Sequence, residues 1–554
     1  MSQPAIKTFN PTGPCNPNTR YMLPVLARQT GVDSAIEEKN YFVLHAPQRS
    51  GKTTFLNFLT NKINSEGNYY ALMCSLASLK IVSDKDETLT KIVSLINKSM
   101  AKSKVKQIKD KANTYNSLPQ MADTNQKVRA LLNQLCEDLD KDLIVFFEEA
   151  DYPCWIGLLT FMAQIQEAYL IRERPGHKFP RAMAFVGCRD IMACLFEAQS
   201  DTKISKIKFP PFNIIKKTLT LDNFTKPEIK TLCQQHTTAS GQIFLDSAIE
   251  RIWHWSAGQP GSVNALANET VVKILNKDYS ATITGEQVDQ AAESLIKQRY
   301  APFDSILKRL KEPRVHMVMD SVIAGIPFKE FIEMDNREYC QALGLLVPGE
   351  SGKNRPANPL LQQVIPLVLT DKLVDRMPFY LANTAWNDGK IFFVNEILQS
   401  FQDFWKNNSK SFLKLPKQVD SDLFENYSDE EMASIIRSVV DSLFDEAFYS
   451  LTLLAYLRKL LDSSALIRLQ YAEDRGSMDI VITYQERVYT LRVSIRRRVE
   501  AENDLDQLAA DLSANGQKEG WFFVFDSDKN KTMDEKIFSA VLDHKNVIIN
   551  IFVC

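Results

Sequence analysis

The order of apolar and polar positions along the 554-residue chain changes character several times. Short, nearly continuous apolar runs occupy Tyr41 to His45, Tyr69 to Leu76, Leu143 to Phe147 and Met183 to Gly187. Runs of this length between polar segments predict strands buried on both faces. Between them, apolar residues recur at helical spacing over Leu56 to Ile63, Val128 to Leu139 and Trp155 to Arg172. Such alternation predicts a parallel sheet with helices on both faces.

From about Phe224 to Gln298 the pattern is wholly helical, with helix starts signalled at Thr225-Lys226-Pro227 and Thr284-Gly285-Glu286. Residues 303–370 mix short helices with a hairpin expected around Gly349-Glu350-Ser351-Gly352, the pattern of a winged-helix-like module. Residues 380–465 return to helical spacing. Strands are then predicted at Leu466 to Tyr471, Met478 to Thr483, Val488 to Ile495, Trp521 to Phe525 and Val547 to Val553. A helix over Asp504 to Ser513 lies among them. The expectation is a multidomain α/β chain: a core over 1–222, a helical lid over 223–300, a winged-helix-like module over 301–372, and over 373–554 a helical linker leading into a second α/β domain.

Composition narrows the partners. The 66 basic and 68 acidic residues leave a formal charge of -2, so nothing pulls the whole chain toward nucleic acid or membrane. Any polyanion site must be a local patch. One candidate is the lysine-rich stretch Lys98 to Lys111; a solvated helix or loop explains it, and a nucleic-acid contact is the alternative. The nine cysteines show no metal-ligand spacing, and Cys74 and Cys188 fall in apolar runs where a thiol acts as a small hydrophobe. With no secretory pattern at the start and no apolar run of about 18 residues, the expectation is a cytoplasmic protein with no membrane partner.

The chemistry concentrates after the first strand. FVLHAPQRSGKTTFLNFL reads strand, loop, helix, and matches the phosphate-binding pattern GxxxxGK[ST] over Ala46, Pro47, Gln48, Arg49, Ser50, Gly51, Lys52 and Thr53, with Ala46 in place of the first glycine. Loop and helix-start N–H groups, Thr54 included, would converge on phosphate oxygens. Lys52 would neutralise the β- and γ-phosphates and Thr53 would ligate Mg2+. Alanine at the first position requires an unstrained backbone there. A second motif, DLIVFFEEADYP, ends a strand in Glu148 and Glu149: the first acid orients a Mg2+-bound water, the second the attacking water. Aspartate is usual at the first position, so Glu148 brings a longer reach to the metal. A third strand, RAMAFVGCRD, delivers Arg189 to the same sheet edge, where it can sense the γ-phosphate or form an ion pair with Asp190 or a helix acid. GQPGSVNALA, Gly258 to Ala267, starts a helix of the lid.

These motifs, with FNPTGPCNPNTRYMLP, PPFNI, KRLKEPRV and ANPLLQQVIP, resemble bacterial AAA-like P-loop ATPases. In that family an ATPase core and helical lid precede a winged-helix-like segment and a C-terminal PD-(D/E)XK nuclease-like domain. The resemblance implies ATP as nucleotide, Mg2+ as cofactor, Asn16 to Tyr21 near the nucleotide, and a homo-oligomer as a plausible assembly. The C-terminal domain departs from the family pattern. Asp479 keeps the first acid position and Gln507 the helix glutamine, but the acid-x-Lys position reads Arg492-Val493-Ser494 and the upstream acid is Gln470. One carboxylate beside an arginine is a poor magnesium site, and Glu486 lies in a turn away from it. Arg492, Arg496, Arg497 and Arg498 would then form a basic cluster, either a solvated face or a retained nucleic-acid surface.

Three functions follow as expectations: a Mg-dependent ATPase acting as a switch with an inactive nuclease-like domain for binding or scaffolding, a non-hydrolysing nucleotide sensor that assembles with a protein partner, and an ATP-dependent nuclease in genome defence.

Overall fold

The computed structural model describes residues 6–24, 31–82, 84–112, 126–151, 155–175, 177–189, 191, 194, 214–298, 308–325, 334–349, 353–378, 381, 386, 392–412, 447–461, 465–472, 477–496, 502–526, 528 and 530–554. The chain divides into two compact units, Met1–Ala291 and Ala292–Cys554.

In the first unit, β1 (Tyr41–His45), β2 (Tyr70–Ser75), β3 (Leu143–Glu148), β4 (Ala182–Gly187) and β5 (Ile215–Thr220) form a parallel sheet in the order β2-β3-β4-β1-β5. The two-residue period of a strand sends alternate side chains to opposite faces. Tyr41, Val43, Val145, Phe147, Met183 and Phe185 enter one core, while Phe42, Leu44, Ile144, Phe146, Ala184 and Val186 enter the other. Helices α1 (Val32–Glu37) and α2 (Lys52–Glu66) cover the second core through Val32, Ile36, Phe55, Leu56, Leu59 and Ile63. Helices α3 (Lys85–Ala101), α4 (Lys106–Lys111), α5 (Lys127–Asp138) and α6 (Trp155–Ile171) cover the first. The edge strand β5, IKKTLT, is the strand that apolar runs did not predict. Its burial alternates residue by residue, and lysines at an edge protect it from further pairing.

Four helices follow the sheet: α7 (Lys226–Ser240), α8 (Asp246–Ser256), α9 (Pro260–Glu269) and α10 (Gly285–Lys297). Thr225 and Glu228 close a reciprocal capping box at the start of α7, and before α10 Gln287 Oε1 accepts both the N–H and the hydroxyl of Thr284.

In the second unit, α11 (Pro313–Ala324), α12 (Met334–Ala342), the short antiparallel pair β6 (Leu346–Pro348) and β7 (Asn354–Pro356), α13 (Pro359–Leu369), α14 (Asp371–Arg376) and α15 (Val394–Phe412) lead to a six-stranded mixed sheet. Its strands are β8 (Leu466–Gln470), β9 (Met478–Tyr484), β10 (Arg487–Arg496), β11 (Glu519–Asp526), β12 (Phe538–His544) and β13 (Val547–Val553), in the order β12-β13-β11-β10-β9-β8. A helix, α16 (Glu502–Ala514), packs Leu508, Ala509 and Leu512 on Phe522 and Val524. The exposed edge strand β12 was also missed, because FSAVLDH carries no apolar alternation toward a core.

Candidate functional site

The loop Ala46–Gly51 leaves the carboxyl end of β1 and runs into α2. Ala46 is buried and donates its N–H to Gly187 O at 3.2 Å, so it is held on the end of β4. Its φ lies outside the left-handed region; that conformation falls instead on Arg49, φ 64°, and Gly51, φ 96°. The alanine is therefore tolerated, and the strain sits on an arginine. Gly261 N, in the first turn of α9, donates to Arg49 O at 3.2 Å, and a Cβ at Gly261 would meet the Arg49 Cβ at 2.9 Å. Helix α9 thus begins against the loop, after Gly258 has turned with φ 75° under the Phe224 carbonyl.

Lys52 curls back over the loop. Its Nζ donates to Ala46 O at 2.6 Å and Pro47 O at 2.9 Å, and lies 3.5 Å from Cys188 Sγ. Both oxygens are neutral carbonyls. Beside it the Ser50 hydroxyl and Gln48 Oε1 are buried without a hydrogen-bond partner. A cation and a buried, unpartnered hydroxyl in one loop are chemistry suited to an anion.

Thr53 Oγ1 donates to Glu148 Oε1 across the sheet end. Glu148 is 6% exposed, and burial raises its pKa against the lowering effects of Thr53 and Lys52. Glu149 follows with φ 56°, and the Ser75 hydroxyl donates to its Oε2 at 3.4 Å. Burial raises its pKa too, helped by the charges of Glu148 and Asp151. A threonine hydroxyl and a carboxylate side by side form an oxygen donor set that fits magnesium.

Asp151, which the sequence reading did not single out, joins two strand ends. Its Oδ2 accepts Cys188 N at 3.2 Å and Arg189 N at 3.3 Å, while its buried Oδ1 has no partner. A Cβ on Gly187 would lie 2.5 Å from that Oδ1. Arg189 is buried at the same sheet end, and Asp190 lies outside the described residues. Cys188 requires a correction: it stands beyond the end of β4 beside Lys52, not inside the strand. The segment Asn16–Tyr21 is flanked by contacts to α2 and α7: Cys15 N donates to Thr54 Oγ1 at 3.0 Å, and Tyr21 Oη lies 3.2 Å from His236 Nδ1.

The C-terminal sheet overturns the expectation of an Arg492-containing surface cluster. Strand register sets Arg492 opposite Asp479 and Gln470 opposite Asp479. Arg492 is 1% exposed. It donates through Nε and Nη2 to the two Asp479 oxygens at 2.7 and 2.9 Å, through Nη2 to Asp511 Oδ2 at 2.6 Å, and through Nη1 to Asp504 O at 3.2 Å. Burial alone would weaken its proton affinity, but the Asp479 and Asp511 pairs outweigh it and hold the guanidinium charged. Ser494 donates to Asp504 Oδ2 at 2.6 Å. Gln470 and Gln507 are exposed around this cluster, and Glu486 sits in the β9–β10 turn with φ 64°. The side chains of Arg496, Arg497 and Arg498 lie outside the described residues.

A five-stranded parallel sheet with this loop after β1 is the α/β fold of P-loop NTPases. No family model and no curated protein matches the chain. Among solved structures it is similar to the Walker-type ATPase paby2304 of Pyrococcus abyssi, with 16% identity and a TM-score of 0.42 over 60% of this chain and 93% of that one. It is also similar to the Aeropyrum pernix ORC2 protein in its ADPNP-ADP complexes, with 13% identity and a TM-score of 0.37 over 60% and 89%. The Thermotoga maritima RuvB Holliday junction branch migration motor gives 15% identity and a TM-score of 0.32 over 59% and 88%. Among the described residues, no helix is long and apolar enough to cross a membrane.

Proposed function

We propose that the chain binds Mg-ATP at Ala46–Thr54 and hydrolyses it as a switch, while its C-terminal sheet is an inactive nuclease-like module used for binding or scaffolding. The observation that carries this reading is Lys52 held at the loop by neutral acceptors alone. Loop amides and the α2 N-terminus receive the phosphates, and Lys52 exchanges its carbonyl partners for β- and γ-phosphate oxygens. Thr53 and Glu148 are the residues that would hold magnesium, which supplies charge neutralisation when bound. Glu149 orients the attacking water, and Arg189 stabilises charge on the transferred group. Arg492 supports the inactive reading of the second module: its guanidinium fills the space between Asp479 and Asp511 that a magnesium ion would need.

A second reading, a nucleotide sensor without turnover, is favoured by one observation. Glu148 replaces the shorter aspartate and is engaged by Thr53. Phosphate release from ATP by the full chain separates the two. Turnover that is lost in Lys52→Ala and in Glu149→Gln supports hydrolysis. ATP binding with phosphate release no higher than in Lys52→Ala leaves the sensor.

A further inference from the structure

The outer surface of α3 and α4 carries chemistry that the nucleotide site does not use. Lys98, Lys102, Lys104, Lys106 and Lys109 are all exposed. Among the described residues, Lys98, Lys102, Lys106 and Lys109 enter no ion pair, whereas Lys111 is taken by Asp138 at 2.9 Å and Lys104 donates to Asn61 at 3.0 Å. Unpaired lysines in a mobile loop would be ordinary solvated charge. Here the backbone beneath them is pinned. Met100, Ile108 and Ala112 are buried in the main core, with Val105 packed against it. Lys104 ties the turn between the helices to Asn61 of α2, the helix that begins at Lys52. The positive surface is therefore presented on a fixed support.

We infer that this face is a nucleic-acid backbone-binding surface. Lys98 and Lys102 are one helical turn apart, about 6 Å along the axis, and Lys106 and Lys109 about 4.5 Å apart. A polymer carrying a phosphate charge every few ångströms can meet all four at once. Ser99 is bonded to Cys74, Ser103 accepts Val105 N and Gln107 is bonded to Asp140, so the phosphate contacts of this face fall on the lysines. Insertion into a membrane surface needs apolar side chains beside the lysines, and a protein partner an exposed apolar or aromatic anchor. Val105 and Ile108, the large apolar residues of the stretch, point into the core instead. Because no base-reading group accompanies the lysines, binding is insensitive to sequence. The inference goes beyond the nucleotide reading and does not depend on it.

The test is fluorescence anisotropy of the full chain with a mixed-sequence DNA duplex of about 30 base pairs, titrated from about 50 to about 200 mM salt, beside anionic phosphatidylserine vesicles. Four phosphate contacts predict a slope of log affinity against log salt of about -3.6, a loss of roughly 100-fold over that range. The combined variant Lys98→Gln, Lys102→Gln, Lys106→Gln, Lys109→Gln should bind at least about tenfold more weakly and lose most of that slope. An unchanged melting temperature for the variant excludes misfolding as the cause. Equal binding by the variant, no binding by the wild type at low salt, or binding to the vesicles and not the DNA would each overturn the inference.

Discussion

Lys52 and Arg492 are both basic residues set among carboxylates at a sheet, and their partners could hardly differ more. Lys52 is held by two backbone carbonyls and a thiol. No carboxylate of the described residues lies within ion-pair distance, although Glu148, Glu149 and Asp151 all feel its charge. Arg492 has a bidentate carboxylate, a second carboxylate and a carbonyl. The first cation has no ion-pair partner among the described residues and lies beside an orphan hydroxyl; the second is neutralised by direct ion pairs inside the protein. An open charge of this kind can recruit an anion, and a closed one can only hold the fold together. The nearby motifs alone do not distinguish them.

Breaking the closed cluster should have the largest effect. Arg492→Ala leaves Asp479 buried at 3% exposure without its partner, and should cost about 3–5 kcal/mol in denaturant unfolding. Replacing both partners, Arg492→Met with Asp479→Leu, should recover most of that loss. A loss below about 1 kcal/mol for the single variant would show an exposed, weak pair instead.

Around the open cation, the supporting contacts are tighter than the charge itself. Gly187→Ala drives a methyl toward Asp151 Oδ1, which it would meet at 2.5 Å. The expected cost is about 1–3 kcal/mol in thermal unfolding, with weaker ATP turnover because Asp151 also holds the Cys188 and Arg189 amides. Asp151→Asn keeps an acceptor oxygen and should retain more turnover than Asp151→Ala. Equal turnover in both would break the link between Asp151 and Arg189.

A third class of base, the buried His236 and the half-buried His316, sharpens the contrast by carrying no charge. Burial lowers the pKa of His236, against a hydrogen bond with Gln242, and lowers that of His316 from 6.5 to about 4. Both groups are neutral in the folded chain at neutral pH. As pH falls below 6.5 the unfolded chain takes up their protons first, so stability is lost from there until about pH 4, where folded His316 also protonates. In that window, unfolding free energy should fall by up to about 1.4 kcal/mol per pH unit through His316, with His236 acting in the same direction. His316→Asn should remove one such contribution, and an unchanged slope would place His316 in water.

The loop around Lys52 was legible because its chemistry is local: strand, loop and helix start are contiguous, and the glycine, lysine and threonine are fixed by spacing. Asp151 was not, since its role arises only when the register of β3 and β4 brings it under Cys188 and Arg189. Arg492 was misread for the same reason. Its neighbours in sequence, Arg496 to Arg498, suggested a basic surface, but cross-strand pairing with Asp479 and the Asp511 turn of α16 bury it. Each large sheet was read correctly except at one edge, where β5 and β12 lack a continuous apolar run; the opposite edges, β2 and β8, were legible.

Lys52 as an open anion receptor and Arg492 as a closed one differ most plainly in what they do to nucleotide affinity. Calorimetric titration of Mg-ATP into the full chain measures this directly. Wild type and the Arg492→Met, Asp479→Leu double variant should bind with equal affinity. Lys52→Ala should bind more weakly by about 2–3 kcal/mol, roughly 30- to 150-fold, with its fold intact. Undiminished binding by Lys52→Ala, or ATP binding that depends on Arg492, would contradict it.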